Sequence, residues 1–114
     1  LKPSMVISGD KNSNRADFEK VAKMTVNCLK EMCPTDLGGV AFLSGGQTND
    51  EATNHLKLMN SGNYDLPWRV TFSYARAIQQ SALNKWSGKD ENHKEAQHIL
   101  GERAKLCSDA SVGS

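Results

Sequence analysis

Short apolar segments alternate with amphipathic segments along this 114-residue chain, and this alternation constrains the fold more than any other feature. Three segments predict strands, at residues 1–7, Val40–Leu43 and Pro67–Ser73. The continuous apolar run Val40–Leu43 is typical of a strand that is covered on both faces. Strands that alternate with helices pair in parallel through right-handed crossovers. The sequence therefore predicts an α/β fold with a parallel sheet.

Four helices are predicted, at residues 14–33, 48–59, 74–86 and 90–107, and the first of them is amphipathic. Asn14 is the predicted N-cap of the first helix, and Thr48 with Glu51 forms a capping box at the second. The apolar face of the first helix consists of Phe18, Val21, Ala22, Thr25, Leu29 and Met32. Three parallel strands alone would leave bare edges, so we expect this chain to be part of a larger α/β architecture.

The charged residues exclude several classes of partner. Lys and Arg number 14 against 13 Asp and Glu, so no broad field favours nucleic acid or an anionic membrane surface. No apolar run approaches the length of a membrane span. We therefore expect neither a nucleic-acid partner nor a membrane.

The cysteines and histidines point away from a disulfide or a metal site. The cysteines are odd in number and form no C-x-x-C pair, so we expect free thiols in a reducing compartment, as in the cytoplasm. None of the histidines has a second ligand at metal-binding spacing, and we interpret them as surface residues. These residues are Cys28, Cys33, Cys107, His55, His93 and His98.

Chemistry-bearing residues lie at the end of each predicted strand, and residues 1–7 are interpreted as the end of a buried strand. The carboxyl ends of parallel strands share one face, where α/β proteins hold their active sites. Lys2 can present an amine there, which becomes nucleophilic toward carbonyls when it is desolvated. The turn Ser44-Gly45-Gly46 exposes backbone N–H groups at a helix start, and Arg76 adds a guanidinium suited to phosphate. Together they predict a site for a phosphorylated carbonyl compound.

The segments that carry these residues resemble one enzyme family. They are Leu1-Lys2-Pro3-Ser4-Met5-Val6, Phe42-Leu43-Ser44-Gly45-Gly46-Gln47, and Pro67-Trp68 with Phe72-Ser73-Tyr74-Ala75-Arg76-Ala77. In this order and spacing they are similar to class I fructose-bisphosphate aldolase over nearly the whole chain. The resemblance implies that the chain holds about the sixth to eighth strands, with their helices, of a TIM (β/α)8 barrel.

The resemblance also implies a role for each site residue. Lys2 matches the lysine that forms a Schiff base with the ketose substrate. Ser44, Gly45 and Arg76 match substrate phosphate-binding positions, and the backbone of Ala75 borders the same site. The family usually has glycine where this chain has Ala75, which affects how closely the backbone can approach the phosphate.

Several expectations follow for the whole protein. Residues 1–114 are expected to be an incomplete single domain, with the earlier barrel strands and the family's C-terminal tail outside this sequence. The complete protein is expected to cleave fructose 1,6-bisphosphate without metal or cofactor, as a homo-oligomer that is a tetramer by resemblance. The expected location is the cytoplasm, with a plastid left open. The alternative is a non-catalytic phosphosugar-binding or scaffolding protein on the same fold.

Overall fold

A computed structural model describes all residues from Leu1 to Ser114 and has the predicted alternating architecture. Four α-helices, two strands and one 3-10 turn make an α/β fold. In chain order they are α1 (Phe18–Met32), β1 (Val40–Phe42), α2 (Asn49–Met59), β2 (Val70–Phe72), α3 (Arg76–Trp86), the 3-10 turn (Asp90–Asn92) and α4 (His93–Ala110).

The sheet is parallel, as the alternation predicts. β1 and β2 pair in register, with Val40 opposite Val70 and Phe42 opposite Phe72. The Ser73 N–H extends this pairing by donating to the Phe42 carbonyl at 2.8 Å. Both strands are three residues long, shorter than the predicted Val40–Leu43 and Pro67–Ser73.

The prediction of a regular strand over residues 1–7 is wrong, although the segment lies along the free edge of β1. The Leu1 nitrogen donates to the Gly39 carbonyl at 3.0 Å, and the Leu1 carbonyl accepts from Ala41 N–H at 2.9 Å. The Pro3 carbonyl accepts from Leu43 N–H at 3.0 Å. Proline has no N–H, so the bond that a parallel ladder would return from residue 3 to Ala41 cannot form. The pairing is therefore real but incomplete.

The first helix begins three residues later than predicted. Its N-cap is Asp17, whose Oδ1 accepts from Lys20 N–H at 2.7 Å, and Asn14 instead belongs to a preceding turn. The Asn14 N–H donates to Asn12 Oδ1 at 2.9 Å. Asn and Asp are both favoured N-cap residues, so the local sequence does not decide between Asn14 and Asp17. The prediction of Asn14 is wrong because its backbone already takes part in the preceding turn.

The second helix begins at the predicted capping box. Thr48 Oγ1 accepts from Glu51 N–H at 3.1 Å, and Glu51 Oε1 accepts from Thr48 N–H at 3.3 Å. α2 ends at Met59 and α3 at Trp86, both as predicted, whereas α4 continues to Ala110, beyond the predicted end near Cys107.

One hydrophobic core joins the helices to the sheet. The predicted face of α1 is buried at its centre, but Phe18 and Met32 at its two ends are 40% and 77% exposed. The Tyr74 hydroxyl, just after β2, donates to the Ala52 carbonyl at 2.7 Å and ties the strand end to α2. The core residues with the least exposure include Ala22, Val26, Val40, Phe42, Ala52, Leu56, Met59, Cys107 and Ala110.

No helix of this chain is both long enough and apolar enough to cross a bilayer.

Candidate functional site

A polar pocket of about 420 Å³ lies beyond the carboxyl ends of β1 and β2. It contains no hydrophobic side chain. Ser44, two residues after β1, and Arg76, the first residue of α3, both line it. The remaining lining residues are Asp10, Gly46, Gln47, Thr48, Asn49, Glu51 and Gln80. The two phosphate-binding side chains predicted from different parts of the sequence therefore share one cavity.

The turn after β1 places Ser44 at this pocket. Gln47 N–H donates to the Ser44 carbonyl at 3.2 Å, which closes the turn. Gly46 has φ +75°, a left-handed conformation that favours glycine. α2 begins directly afterwards, so the turn leads into a helix N-terminus, a position that favours anions.

The second helix start at the pocket is free of a side-chain cap. No side chain at Ala75 accepts from the first turn of α3. Ala75 itself has φ −101°, an ordinary value for an alanine. Alanine therefore fits this position without a left-handed backbone and retains its N–H.

Arg76 has no carboxylate partner within the chain. The four salt bridges join Arg15 to Glu51, Lys85 to Glu95, His98 to Glu102 and Lys105 to Asp109. The Arg76 side chain is exposed at the pocket, so its guanidinium is available for an anionic ligand.

The other three predicted site residues do not line the pocket. Gly45 and Ala75 are the chain neighbours of lining residues. Lys2 is exposed on the extended N-terminal segment and lies outside this cavity. The chain thus brings Ser44 and Arg76 together, while the role of Lys2 stays a prediction.

A buried histidine lies behind the pocket, and the interpretation of His55 as a surface residue is wrong. His55 is 1% exposed, and its ring packs edge-on against Phe18 with centroids 5.3 Å apart. Nδ1 lies 2.6 Å from Oε1 of Gln47. The sequence pattern failed here because a histidine on a polar helix is hidden only when another segment covers it, and α1 does so at Phe18. His93 and His98 are exposed, as predicted.

Burial lowers the pKa of His55 to about 4, from an ordinary 6.5. The Glu51 carboxylate opposes this shift and the Arg15 guanidinium adds to it. His55 is therefore neutral at pH 7. A neutral ring that donates from Nδ1 to Gln47 Oε1 leaves Nε2 as an acceptor, and this buried atom has no partner.

Two residues that the sequence did not single out for the site also border it. Glu51 was predicted only as a helix cap, yet it lines the pocket and pairs with Arg15 at 2.7 Å. No local pattern predicts this contact, since the two residues are 36 positions apart. Gln47 could have been found from its place directly after the glycine turn.

A second concavity has a different character. An apolar groove of about 330 Å³ lies between α3 and α4, lined mainly by hydrophobic side chains, of which Leu83, Trp86 and Leu100 are exposed. It offers few polar groups to orient a substrate, and the polar pocket is therefore the better candidate site.

No group of three or more His, Cys, Asp or Glu side chains is arranged to hold a metal ion. All three cysteines are free thiols.

Comparison with known proteins relates the whole chain to one family. The profile described as "Glycolytic: Fructose-bisphosphate aldolase class-I" matches residues 1–114. A probable fructose-bisphosphate aldolase class 1 of Xanthomonas campestris is 51% identical over 116 residues, covering 99% of this chain and 34% of the relative. Fructose-bisphosphate aldolase 1, chloroplastic, of Arabidopsis thaliana is 49% identical over 113 residues, covering 99% and 28%. Relatives named as cytosolic or cytoplasmic forms also match.

A solved structure gives the same relationship in three dimensions. Fructose-bisphosphate aldolase from Plasmodium falciparum, in complex with TRAP and a small molecule inhibitor, superposes with a TM-score of 0.91 at 42% identity. The match covers 99% of this chain and 32% of that chain. The chain spans about a third of the length of the curated relatives it matches.

Proposed function

This chain belongs to the class I fructose-bisphosphate aldolase family. On that premise we propose that it carries the lysine that forms an imine with the substrate and a phosphate-binding site of an aldolase. The reaction is the reversible cleavage of fructose 1,6-bisphosphate to dihydroxyacetone phosphate and glyceraldehyde 3-phosphate. The observation that carries the proposal is the meeting of Ser44 and Arg76 in one polar pocket at the carboxyl ends of parallel strands.

Lys2 is the proposed nucleophile. Its neutral amine adds to the C2 carbonyl of the open-chain ketose, and loss of water from the carbinolamine gives a protonated imine. A base takes the proton of the C4 hydroxyl, the C3–C4 bond breaks, and its electron pair moves toward the iminium nitrogen. Glyceraldehyde 3-phosphate leaves, and the remaining enamine is protonated and hydrolysed to dihydroxyacetone phosphate and free Lys2. The acid–base groups are proposed to lie on barrel strands outside these 114 residues.

The pocket is proposed to hold a substrate phosphate. Arg76 supplies a guanidinium that can bind two phosphate oxygens, and Ser44 supplies a hydroxyl. The N–H group of Ala75 lies at the start of α3, where the helix dipole favours an anion, and Gly45 belongs to the turn that leads into α2. Binding of the phosphate, away from the reacting carbon, orients the carbonyl for attack.

We propose that the chain forms about the sixth to eighth strands, with their helices, of a (β/α)8 barrel. The N-terminal segment, β1 and β2 are three adjacent parallel segments, as three consecutive barrel strands would be. Ten large hydrophobic side chains are exposed, among them Met32 at 77% and Val112 at 70%, which further barrel segments could cover. The complete protein is proposed to be active, and this segment alone inactive.

Reductive trapping tests the proposal. Borohydride added to the complete protein with fructose 1,6-bisphosphate should reduce the imine and leave a covalent adduct that peptide mass spectrometry maps to Lys2. The Lys2→Arg variant, which keeps the charge, should form no adduct and cleave no substrate. An adduct on another lysine would overturn the assignment of Lys2. Activity that survives a chelator is expected from a metal-independent imine mechanism, and its loss would contradict that mechanism.

The second candidate is a non-catalytic phosphosugar-binding or scaffolding protein. It is favoured by the position of Lys2, which is exposed and outside the pocket that holds Ser44 and Arg76. Under this function, wild-type protein would bind fructose 1,6-bisphosphate without cleaving it, and Lys2→Ala would leave binding unchanged. Cleavage by wild type that Lys2→Ala abolishes would exclude it.

The assembly and location proposed are a homo-tetramer in the cytoplasm. The free thiols fit a reducing compartment. Mass measurement of the complete protein in solution and imaging of a tagged protein test the two statements. A monomer, or a signal confined to plastids, would contradict them.

A further inference from the structure

Arg15 joins three parts of the chain that surround the polar pocket. Its Nη2 donates to Glu51 Oε2 at 2.7 Å and to the Gly46 carbonyl at 3.1 Å. Its Nη1 lies 3.3 Å from the Ser8 carbonyl and 3.4 Å from the Gly9 carbonyl. One guanidinium thus contacts the loop after the N-terminal segment, the turn after β1 and the first turn of α2.

We infer that Arg15 is a positioning residue for the phosphate-binding turn Ser44–Gly46. This inference rests on the function proposed above. Arg15 does not line the pocket, so it acts through residues that do. It contacts the turn through the Gly46 carbonyl and the adjoining first turn of α2 through Glu51.

The loops that Arg15 joins are already in close contact. A Cβ built on Gly46 would lie 2.9 Å from Ile7 Cδ1 and 3.4 Å from Asp10 Oδ1. The segment that carries Lys2 and the turn that carries Ser44 therefore meet at Gly46. Fixing this contact sets the position of the phosphate turn relative to the Lys2 segment.

Arg15 also balances a charge at the pocket. Glu51 lines the cavity, where its carboxylate would repel a phosphate if it had no cationic partner. Burial by itself raises the pKa of Glu51, but the hydrogen bond and charge of Arg15, together with hydrogen bonds from Thr48, outweigh this and lower it. Both side chains are only partly exposed, at 30% for Arg15 and 21% for Glu51, so solvent screens the pair incompletely. Loss of Arg15 would leave a negative charge beside the phosphate.

Steady-state kinetics of the complete protein with fructose 1,6-bisphosphate test the inference. Arg15→Ala should raise KM about tenfold while kcat falls less than about twofold, because phosphate binding is weakened equally in the ground state and the transition state. Arg15→Lys should have a KM between those of Arg15→Ala and wild type. Its ammonium keeps the charge but cannot span all four carbonyl and carboxylate contacts. Inhibition by inorganic phosphate should weaken in parallel with the rise in KM.

A double variant separates charge from geometry. Arg15→Ala with Glu51→Gln removes the uncompensated charge, so its KM should fall below that of Arg15→Ala but stay above wild type, because the bond to Gly46 is still lost. Lys11→Ala is the matched control: an exposed cation in the same loop with no bond to these residues, and its KM should be that of wild type.

The outcomes distinguish this inference from the proposed function. Wild-type protein without cleavage activity would refute the function. Active wild type with Arg15→Ala at wild-type KM, or with kcat reduced and KM unchanged, would overturn the role of Arg15 alone. Should Arg15→Ala fail to fold, Arg15→Lys decides: an increased KM with unchanged thermal stability supports the inference, and a wild-type KM refutes it.

Discussion

Nδ1 of His55 and Oε1 of Gln47 lie 2.6 Å apart, and this bond links a buried ring to the wall of the polar pocket. Gln47 follows the turn Ser44–Gly46 in the chain, and His55 is on the inner face of α2. The Gln47 amide is therefore oriented from within the protein by a neutral imidazole. Because protonated Nδ1 still donates, the cost of protonation falls on the buried Nε2, which has no acceptor.

Stability should decline as pH falls from 6.5 toward 4 because of His55. Its folded pKa of about 4 is below the 6.5 of the unfolded chain, so the unfolded state binds more protons throughout this window. The loss is complete below the folded pKa and amounts to at most roughly 3 kcal/mol. Thermal unfolding of wild type at several pH values from 7 to 4.5 measures it.

His55→Asn supplies the reference, since the asparagine side chain has an N–H donor, as the imidazole does, but does not titrate. The dependence of unfolding temperature on pH should be smaller for this variant than for wild type between pH 6.5 and 4.5. Parallel curves for the two proteins would show that His55 is not buried in neutral form.

Gly46→Ala should separate an effect on stability from an effect on the site. Gly46 and Gly62 both have positive φ, at +75° and +90°, so alanine should cost each about 1 kcal/mol. A methyl on Gly46 meets the end of the Ile7 side chain at 2.9 Å, which can rotate, and makes an ordinary contact with Asp10 Oδ1 at 3.4 Å, whereas one on Gly62 meets nothing within 4 Å. Only Gly46→Ala should also raise KM, because Gly46 belongs to the phosphate turn. Equal KM values for both variants would argue against that turn as a binding element.

Arg76→Ala should weaken substrate binding by about 10- to 100-fold, the effect of losing a charge-assisted hydrogen bond to phosphate. Arg69→Ala is the control. Arg69 is an exposed arginine directly before β2, at the end of the strand away from the pocket. Its KM should be unchanged. The ratio of KM values between the two variants measures the effect, and a ratio near one would contradict a phosphate role for Arg76.

Arg103→Met should destabilise the protein by about 2 kcal/mol, because it removes donors from buried acceptors. Arg103, 9% exposed on α4, donates to the Ala77 carbonyl at 2.9 Å, to the Asn49 carbonyl at 3.1 Å and to Thr53 Oγ1 at 2.8 Å. These bonds join α4 to the first two turns of α2 and the first turn of α3. Denaturant unfolding measures the loss.

Lys105→Ala is the comparison for Arg103→Met. Lys105 is 74% exposed on the same helix and pairs with Asp109 one turn away, an interaction worth less than about 0.5 kcal/mol. Similar stability of the two variants would show that the buried bonds of Arg103 contribute little.

Local features of the sequence determined much of this fold. The capping box at Thr48 and Glu51 begins α2 where it was predicted, because its bonds involve residues three positions apart. Apolar periodicity likewise identified α1, and the apolar run at β1 identified a strand. The placement of Ser44 and Arg76 at one end of the sheet followed from the topology of parallel strands.

The errors occurred where a local signal had a competitor or met a distant segment. Asn14 and Asp17 are both good caps, and a preceding turn uses the backbone of Asn14. Pro3 interrupts the pairing of a segment with otherwise strand-like composition. The burial of His55 depends on Phe18 of another helix, 37 positions away, which periodicity within α2 cannot reveal.

The sequence by itself determined the order of strands and helices, the helix starts set by their own side chains, and the end of the sheet where the proposed phosphate-binding residues Ser44 and Arg76 lie. These depend on interactions within a few residues and on the general handedness of α/β connections. Only the tertiary structure decided which polar groups meet, as Arg15 does with Gly46 and Glu51, and Arg103 with Ala77. Such contacts join residues 26 to 36 positions apart, and only packing of the whole chain brings their atoms within hydrogen-bond distance.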